Sequence, residues 1–250
     1  MRDISKYADE YVKEGFESEQ VKYRRKKVLS VLNGRRTDRI IEIGCGSHPV
    51  FEFYDSFDSY VYYEPSEKLF LNAEQIRNGD KRIHGFHKPF CAEQEFLDYK
   101  PDIILCSSLL HEIEDPQVML SDIAKISCKE TLVHINVPNA DSFHRILARS
   151  MGLISDVKDM SDRNITLQQN RVYDLEELTD VVEKAGFKVV DKGSYFIKPF
   201  THSQMWKMLE SGIITEDVLD GLYAMGEDDK GMGSEIYVNC RIEAGHPAHL

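Results

Sequence analysis

A glycine turn and a carboxylate downstream of it could together bind a nucleoside. The apolar run RIIEI at residues 39–43 contains Glu42 and leads into GCG at residues 44–46. In doubly wound α/β folds, such a turn lets bare backbone approach a ligand closely. Glu64 lies about 20 residues after the first glycine, where a carboxylate can bind both ribose hydroxyls. Pro49 stands where a dinucleotide fingerprint has its third glycine, so the turn is not typical of a pyrophosphate site.

The segments around this turn alternate between strands and helices. Asp115-Pro116 is typical of a helix start, because aspartate caps the first turn and proline suits the first helical position. Strands that are almost continuously apolar are typical of a parallel sheet covered on both faces. The predicted strands are residues 39–43, 60–64, 83–86, 102–107 and 131–137.

The first 36 residues are predicted to be helical, with a stop at Asn33-Gly34. The basic cluster at residues 22–36 is interpreted as a solvated helix face. The residues predicted to face the core are Val21, Val28, Leu29 and Leu32.

The regular alternation ends after residue 138. The stretch at residues 139–173 is polar and too long for a simple connection, and such insertions commonly form lids or binding loops. Asp174 and Glu177 then cap a helix that ends at Gly186. The remaining predictions are two short helices within residues 201–226, closed by Gly212 and Gly226, and strands at residues 187–197 and 234–242.

The composition is that of an ordinary globular protein and limits the class of partner. The 250 residues carry a formal net charge of −12, which disfavours nucleic acid and anionic membranes. The five cysteines form no CxxC pair, so we expect free thiols in a reducing compartment and no metal site. No apolar run approaches the ~18 residues needed to span a bilayer, and no signal-like apolar core begins the chain. The expected location is therefore the cytoplasm.

Four motifs taken together carry a family resemblance. They are IIEIGCGS, YYEP, DIILCSSLLHEIEDP and LVHINVPNADSFHRIL, which lie within residues 38–145. This set resembles the class I S-adenosylmethionine-dependent methyltransferases, and more narrowly their small-molecule branch with ubiquinone-type and sugar O-methyltransferases. The resemblance implies an α/β fold with a doubly wound, seven-stranded, mostly parallel sheet, N-terminal helices and a helical lid. Its antiparallel last strand would lie between the fifth and sixth strands.

The resemblance also implies a domain organisation and a cofactor. Residues 1–36 would form an N-terminal helical segment, and residues 37–250 a Rossmann-like domain with lid insertions at about 139–173 and 198–233. The cofactor would be S-adenosylmethionine, with S-adenosylhomocysteine as product. Its implied binding residues are Glu42, Gly44, Cys45, Gly46, Glu64, Pro65, Ala92, Ser107 and Ser108, with Cys91 and Glu93 near the adenine.

His111 is the candidate general base for the transfer. It follows the fourth strand, at the edge where doubly wound folds bind ligands, and an ordinary histidine pKa of about 6.5 suits the task. A role in ordering the loop stays open for it. The candidate residues for binding the methyl acceptor are Asn139, His144, Arg145, Arg171 and Tyr173. His202 and Trp206 lie in the later insertion, where Trp206 is interpreted as packing.

The sequence therefore predicts a methyltransferase that acts on an oxygen of a polar small molecule, with a sugar or nucleotide-sugar considered first. One alternative is a nicotinamide-dependent oxidoreductase, which shares the turn and Glu64. A nucleic-acid methyltransferase is disfavoured, because SSLLHE stands where an Asn/Asp-Pro-Pro-Tyr/Phe motif would follow the fourth strand. A non-catalytic partner that keeps the cofactor fold is a further alternative. The sequence specifies neither the acceptor nor the oligomeric state.

Overall fold

The computed structural model describes residue 4 and residues 15–92, 98–228 and 231–243. Within them the strands are β1 (Arg39–Ile43), β2 (Ser59–Tyr63), β3 (Ile83–Phe86), β4 (Ile103–Ser107), β5 (Leu132–Pro138), β6 (Phe187–Tyr195) and β7 (Glu235–Ile242). The helices are α1 (Glu17–Leu32), α2 (Glu67–Arg77), α3 (Pro116–Ile126), α4 (Phe143–Ser150), α5 (Asp162–Thr166), α6 (Leu175–Lys184), α7 (His202–Glu210) and α8 (Glu216–Asp228). Among the residues described, no helix combines the length and the apolar character needed to cross a membrane.

The strands form one seven-stranded sheet in the order β3-β2-β1-β4-β5-β7-β6. β7 is antiparallel to both of its neighbours, β5 and β6, whereas the other neighbouring strands are parallel. This confirms the predicted doubly wound sheet with an antiparallel last strand between the fifth and sixth. The strand order reverses between β1 and β4, and such a switch point opens a crevice at the carboxyl ends of the strands.

Both faces of the sheet are buried under helices. Side chains alternate along β1, so that Ile41 and Ile43 join one apolar cluster while Ile40 joins the opposite one. The first cluster contains residues of α3 and α6, and the second contains residues of α1 and α2. Glu42 lies on the same face as Ile40, and its carboxylate therefore needs polar partners in an otherwise apolar layer.

Helix α1 ends where the sequence predicted. Asn33 follows the last helical residue, and Gly34 adopts a left-handed φ of +72°. The helix begins at Glu17, because Gly15, with a φ of +123°, and Phe16 lie outside it, so the prediction of helix over the first 36 residues was wrong at these two positions. Residues 1–3 and 5–14 lie outside the described residues.

The buried face of α1 differs from the prediction. Val21 and Leu29 are only partly buried, whereas Arg24 and Lys27 of the basic cluster are buried, with 9% and 8% of their surfaces exposed. The interpretation of the cluster as a solvated face was therefore wrong for these two residues. They are buried because β7 supplies partners: Arg24 binds Glu235, and the ammonium of Lys27 lies 3.9 Å from the ring centroid of Tyr237.

The second predicted stop in the C-terminal helices was also wrong. Gly212 ends α7 with a φ of +71°, as predicted, but α8 continues through Gly226 to Asp228. A Cβ atom at Gly226 would lie 2.4 Å from the backbone nitrogen of Phe196. This glycine therefore serves close packing of α8 against the end of β6, and it does not terminate the helix.

Candidate functional site

A crevice opens at the carboxyl ends of β1, β2 and β4, and α1 forms one of its walls. The predicted cofactor residues that line it are Glu42, Gly44, Cys45, Gly46, Glu64, Pro65, Ser107 and Ser108. Ala92 packs instead against an apolar cluster of the sheet, Cys91 is exposed, and Glu93 lies outside the described residues. The sequence analysis did not select Arg24 and Val28 of α1, which also line the crevice.

The turn after β1 requires glycine at two positions. Gly44 and Gly46 have left-handed φ values of +74° and +60°. The amide of Gly44 donates a hydrogen bond of 2.8 Å to the carbonyl of Tyr63. A Cβ atom at Gly44 would lie 3.3 Å from Cδ2 of Leu109, which also lines the crevice. Bare backbone therefore keeps this end of the crevice open.

The carboxylate of Glu64 lies inside the crevice and joins two loops. One oxygen accepts a hydrogen bond from the amide of Gly46 at 3.1 Å, and the other accepts from the amide of Ser66 at 2.9 Å. Ser66 caps α2 by accepting from the amide of Leu69. Only 5% of the surface of Glu64 is exposed. A carboxylate oxygen has more than one acceptor position, so both oxygens can also receive hydroxyl donors from a ligand.

Glu42 has partners that explain a carboxylate within β1. It accepts hydrogen bonds from the hydroxyl of Tyr60 at 2.8 Å and from the amide of Val50 at 3.2 Å. These bonds tie the loop after the glycine turn to β1 and β2. Burial nevertheless raises the pKa of Glu42 to about 7, with a smaller contribution from the nearby charge of Glu64.

Glu42→Gln is expected to change how stability depends on pH. Because the folded-state pKa of Glu42 is about 7 and its ordinary value is 4.5, the folded protein binds the proton more tightly than the unfolded chain. The contribution of Glu42 to wild-type stability should therefore fall as pH rises through this window, by an amount on the order of 3 kcal/mol, and Glu42→Gln should lack this fall. Urea unfolding of both proteins at pH 4.5 and pH 7.5 measures the difference. The exposed Glu183→Gln is the control, and equal pH slopes for wild type and Glu42→Gln would contradict the expectation.

A row of polar side chains supports the end of β4. The backbone amide of Ser108 donates to the side-chain oxygen of Asn136 at 3.0 Å, and the Asn136 amide donates to the hydroxyl of Ser107 at 2.9 Å. The same amide also faces Nε2 of His134 at 3.0 Å, and Nδ1 of His134 lies 2.8 Å from Asn239. Burial lowers the pKa of His134 to about 4, so its neutral ring can accept from one amide and donate to the other. The sequence cue was two polar residues on one face of the apolar run LVHINVP.

His111 lies in the short turn Leu110–Glu112 after β4, with 1% of its surface exposed. Its Nε2 is 3.8 Å from a carboxylate oxygen of Glu112, and its carbonyl accepts from the amide of Asn170 at 3.0 Å. Glu112 lines the crevice, whereas His111 is buried and is not one of the lining residues. The role of His111 as general base stays a prediction.

A second space, which we call the interhelical cavity, lies between α1, α4, α5 and the start of α7. Two of the candidate acceptor residues, His144 and Arg145, project from α4 into its wall, and Asn139 lines it from the end of β5. Arg24 lines this cavity as well as the crevice. The charged and ionisable side chains around it include Glu17, Arg163, Lys198, His202 and Glu235. The sequence analysis did not select Lys198.

Arg171 and Tyr173 lie beside the cavity and fasten the inserted segment to the sheet. Arg171 donates to the backbone carbonyl of Glu114 at 2.6 Å. Tyr173 is buried and forms a β-bridge with Asn139. Trp206 packs against the apolar cluster under α7 and α8. Arg171, Tyr173 and Trp206 are therefore not among the residues that line the cavity.

Comparison with protein families decides the identity of the chain. Residues 16–192 match the model of a family described as a methyltransferase domain, and this match covers most of the 250 residues. The chain belongs to the methyltransferase domain family. No curated protein sequence matches this methyltransferase closely enough to count as a relative.

Solved structures share the fold of this methyltransferase. A methyltransferase of Thermotoga maritima has 16% identity and a TM-score of 0.54, and the match covers 91% of this chain and 95% of the other. One from Archaeoglobus fulgidus has 17% identity and a TM-score of 0.54, covering 90% and 94%. The [4+2]-cyclase SpnF has 13% identity and a TM-score of 0.55, covering 88% and 81%. At these identities the likeness shows the fold alone, and a cyclase shares it.

S-adenosylmethionine is the cofactor of this methyltransferase, and the crevice fits it. The carboxylate of Glu64 suits two ribose hydroxyls, and the bare backbone at Gly44 leaves room beside Leu109. Beyond Pro65 and Leu109 the crevice continues into a largely apolar space that Phe90 and other side chains line. A purine ring could bury its faces there.

Proposed function

We propose that this methyltransferase transfers the methyl group to an oxygen of a polar small molecule, with a sugar or nucleotide-sugar as the acceptor class. The observation that carries the proposal is that Arg24 lines both the crevice and the interhelical cavity, so the two spaces adjoin. The cavity has a volume of about 500 Å³, which is typical of sites for small molecules. Its many polar and charged side chains favour a polar acceptor over an apolar one.

The two spaces have separate tasks in this proposal. The crevice residues hold the cofactor, whose sulfonium supplies an electrophilic methyl group. The side chains of Asn139, His144 and Arg145 orient the acceptor in the cavity. The protein then contributes alignment of the reacting groups and exclusion of water, which can supply much of the rate enhancement.

The inserted segments at about 139–173 and 198–233 act as lids on the Rossmann-like domain in this proposal. The support is that α4, α5 and the start of α7 wall the cavity. Asn170 also donates to the backbone carbonyl of Glu112 at 2.7 Å, which couples the first segment to the turn after β4. An acceptor enclosed in this way is a small molecule, and the expectation of no nucleic-acid or membrane partner stays a prediction.

A methyl-transfer assay with product analysis tests the proposal. Purified protein is incubated with S-adenosylmethionine labelled with ¹³C in its methyl group and with a panel of sugars, nucleotide-sugars and other hydroxylated small molecules. Carbon NMR of the product distinguishes a methoxy carbon from a methyl group on nitrogen or carbon. An O-methyl product supports the proposal, and an N- or C-methyl product contradicts it. Binding of S-adenosylhomocysteine without transfer to any acceptor would instead favour the non-catalytic alternative.

His111→Ala is expected to lower kcat while leaving S-adenosylhomocysteine affinity nearly intact. The reason is that general base catalysis contributes typically about 10²–10⁴ to a rate, whereas His111 is not one of the residues that line the crevice. Steady-state kinetics over a range of pH, together with calorimetry of S-adenosylhomocysteine, measures both effects. His84→Ala, on the exposed side of β3, is the matched control. An unchanged kcat would end the general-base hypothesis and leave His111 a role in ordering the turn.

A further inference from the structure

Lys198 is a buried cation in the interhelical cavity. It follows β6 in the run YFIKPF, and only 4% of its surface is exposed. Its ammonium nitrogen lies 3.0 Å from Nδ1 of His202. In the part of the chain that the structure describes, no carboxylate oxygen lies within 4.0 Å of that nitrogen. Burial lowers the pKa of Lys198 to about 7, which is the expected response of an ammonium without a close counter-ion.

The carboxylates nearest to Lys198 already bind other cations. Glu17 accepts from the guanidinium of Arg163 at 2.6 Å, and Glu235 accepts from Arg24 at 2.9 Å. The hydroxyl of Tyr195 also donates to Glu235, at 2.6 Å. These carboxylates are therefore held in place by their own partners and are not directed at Lys198.

His202 orients the lysine. Its Nε2 lies 3.2 Å from a carboxylate oxygen of Glu17, while its Nδ1 faces Lys198. Burial lowers the pKa of His202 to about 4, so the ring is neutral at pH 7. A neutral ring with its proton on Nε2 leaves Nδ1 free to accept from Lys198, while the Nε2 proton lies near the Glu17 carboxylate without a well-aligned hydrogen bond. The arrangement leaves the other two ammonium hydrogens of Lys198 for a further partner.

His144, in the same wall, has a polar atom without a hydrogen-bond partner among the described residues. Nδ1 of His144 is buried and makes no hydrogen bond to any described residue. The next residue, Arg145, is held against the wall by donating to the backbone carbonyls of Val157 and Asp159. The groups that face Lys198 are Glu17 from α1, His144 and Arg145 from α4, Arg163 from α5, His202 from α7 and Glu235 from β7.

We propose that the interhelical cavity binds an anionic group of the methyl acceptor, a carboxylate or a phosphate, through Lys198 and His144. The inference rests on the proposed function, because it takes the cavity to be the acceptor site. Burying an ammonium without a counter-ion costs free energy of folding. A bound anion would supply both the missing negative charge and the missing hydrogen-bond acceptors. A nucleotide-sugar carries such a group, whereas an unmodified neutral sugar does not.

Anion binding to the full chain tests the inference without the acceptor. Inorganic phosphate and acetate are titrated in separate experiments at pH 6, where the ammonium of Lys198 is present, with sodium chloride keeping the ionic strength constant. The thermal unfolding midpoint and calorimetry are recorded for wild type, Lys198→Met and Lys198→Arg. Lys207→Met, on the exposed face of α7, is the matched control.

We expect at least one of the two anions to bind wild type and Lys207→Met and to raise their unfolding midpoints above the chloride value. Lys198→Met should weaken that binding about 10- to 100-fold, as loss of a charge-assisted hydrogen bond does. A response to phosphate alone or to acetate alone identifies the group. Lys198→Met should fold, since it removes an unpaired buried charge. If it does not fold, Lys198→Arg decides the test: retained anion binding in that variant supports the inference, and lost anion binding contradicts it.

Two results would overturn the inference: equal anion affinity in wild type and Lys198→Met, or no response of wild type beyond that to chloride. Titration of S-adenosylhomocysteine into the same proteins separates this failure from failure of the proposed function. If S-adenosylhomocysteine binds, but the anions bind wild type and Lys198→Met equally, only the proposed anion site is wrong. If wild type does not bind S-adenosylhomocysteine, the proposed function is wrong irrespective of the anions.

Discussion

Glu64→Ala is expected to weaken S-adenosylhomocysteine binding about 10- to 100-fold, because it removes charge-assisted hydrogen bonds worth about 1.5–3 kcal/mol. The structure adds a second reason for a loss. The carboxylate also accepts from the amides of Gly46 and Ser66, so it positions the glycine turn and the start of α2 around the crevice. Without it both loops lose an anchor, and the upper part of this range is the expected result.

Calorimetry of S-adenosylhomocysteine with wild type, Glu64→Ala and Glu64→Gln measures this effect. The glutamine variant keeps one acceptor atom and removes the charge, so an intermediate affinity is expected. Glu67→Ala, an exposed carboxylate in the first turn of α2, is the matched control and should bind as wild type does. Unchanged affinity in Glu64→Ala would remove this residue from the cofactor site.

Arg24→Met is expected to lower the free energy of unfolding by about 3–5 kcal/mol, because it leaves the carboxylate of Glu235 buried without its cation. Glu235 has 1% of its surface exposed, and the Arg24 guanidinium lies 2.9 Å from it. Among the residues that the structure describes, the remaining side-chain donors to Glu235 are the hydroxyl of Tyr195 and the amide of Gln20. Neither donor is charged, so neither replaces the lost ion pair.

Urea unfolding of Arg24→Met, Glu235→Gln and the double variant forms the test. The double variant should be less destabilised than Arg24→Met, since no buried charge then lacks a partner. Lys26→Met, on the exposed side of the same helix, breaks the exposed pair with Asp220 and removes an ammonium that lies 4.6 Å from the ring centroid of Tyr223, and it should cost about 1 kcal/mol. A loss in Arg24→Met as small as that of Lys26→Met would show that the buried pair adds nothing to stability.

The fold and the crevice could be predicted from the sequence because their signals are local. The glycine turn, Glu64 at its spacing and the cap at Asp115 each depend on a few neighbouring residues, and the strands were read from continuous apolar runs. The order of the strands came from the family resemblance, since no local pattern states which strand lies beside which.

The buried charges could not be predicted in the same way. Arg24 and Glu235 are 211 positions apart, and nothing within either segment marks the other as a partner. A basic run on a helix usually faces solvent, so the prediction followed the ordinary case. Lys198 did carry a cue, because apolar residues flank it on both sides in YFIKPF. The prediction of a helix end at Gly226 was wrong because a glycine near the end of a helix can indicate either a helix stop or close packing against a neighbour.

Helix α1 contributes Val28 to the crevice and Glu17 to the interhelical cavity, and its Arg24 lines both. Under the proposed assignment of the cavity to the acceptor, mutations at Arg24 would alter cofactor affinity and acceptor preference together, whereas mutations in α4 or α5 would reach the cavity alone. On that proposal, a new acceptor preference could evolve through those two helices while the adenosyl-binding residues stay constant. Directed evolution of this enzyme would begin with libraries in α4 and α5 and keep α1 fixed.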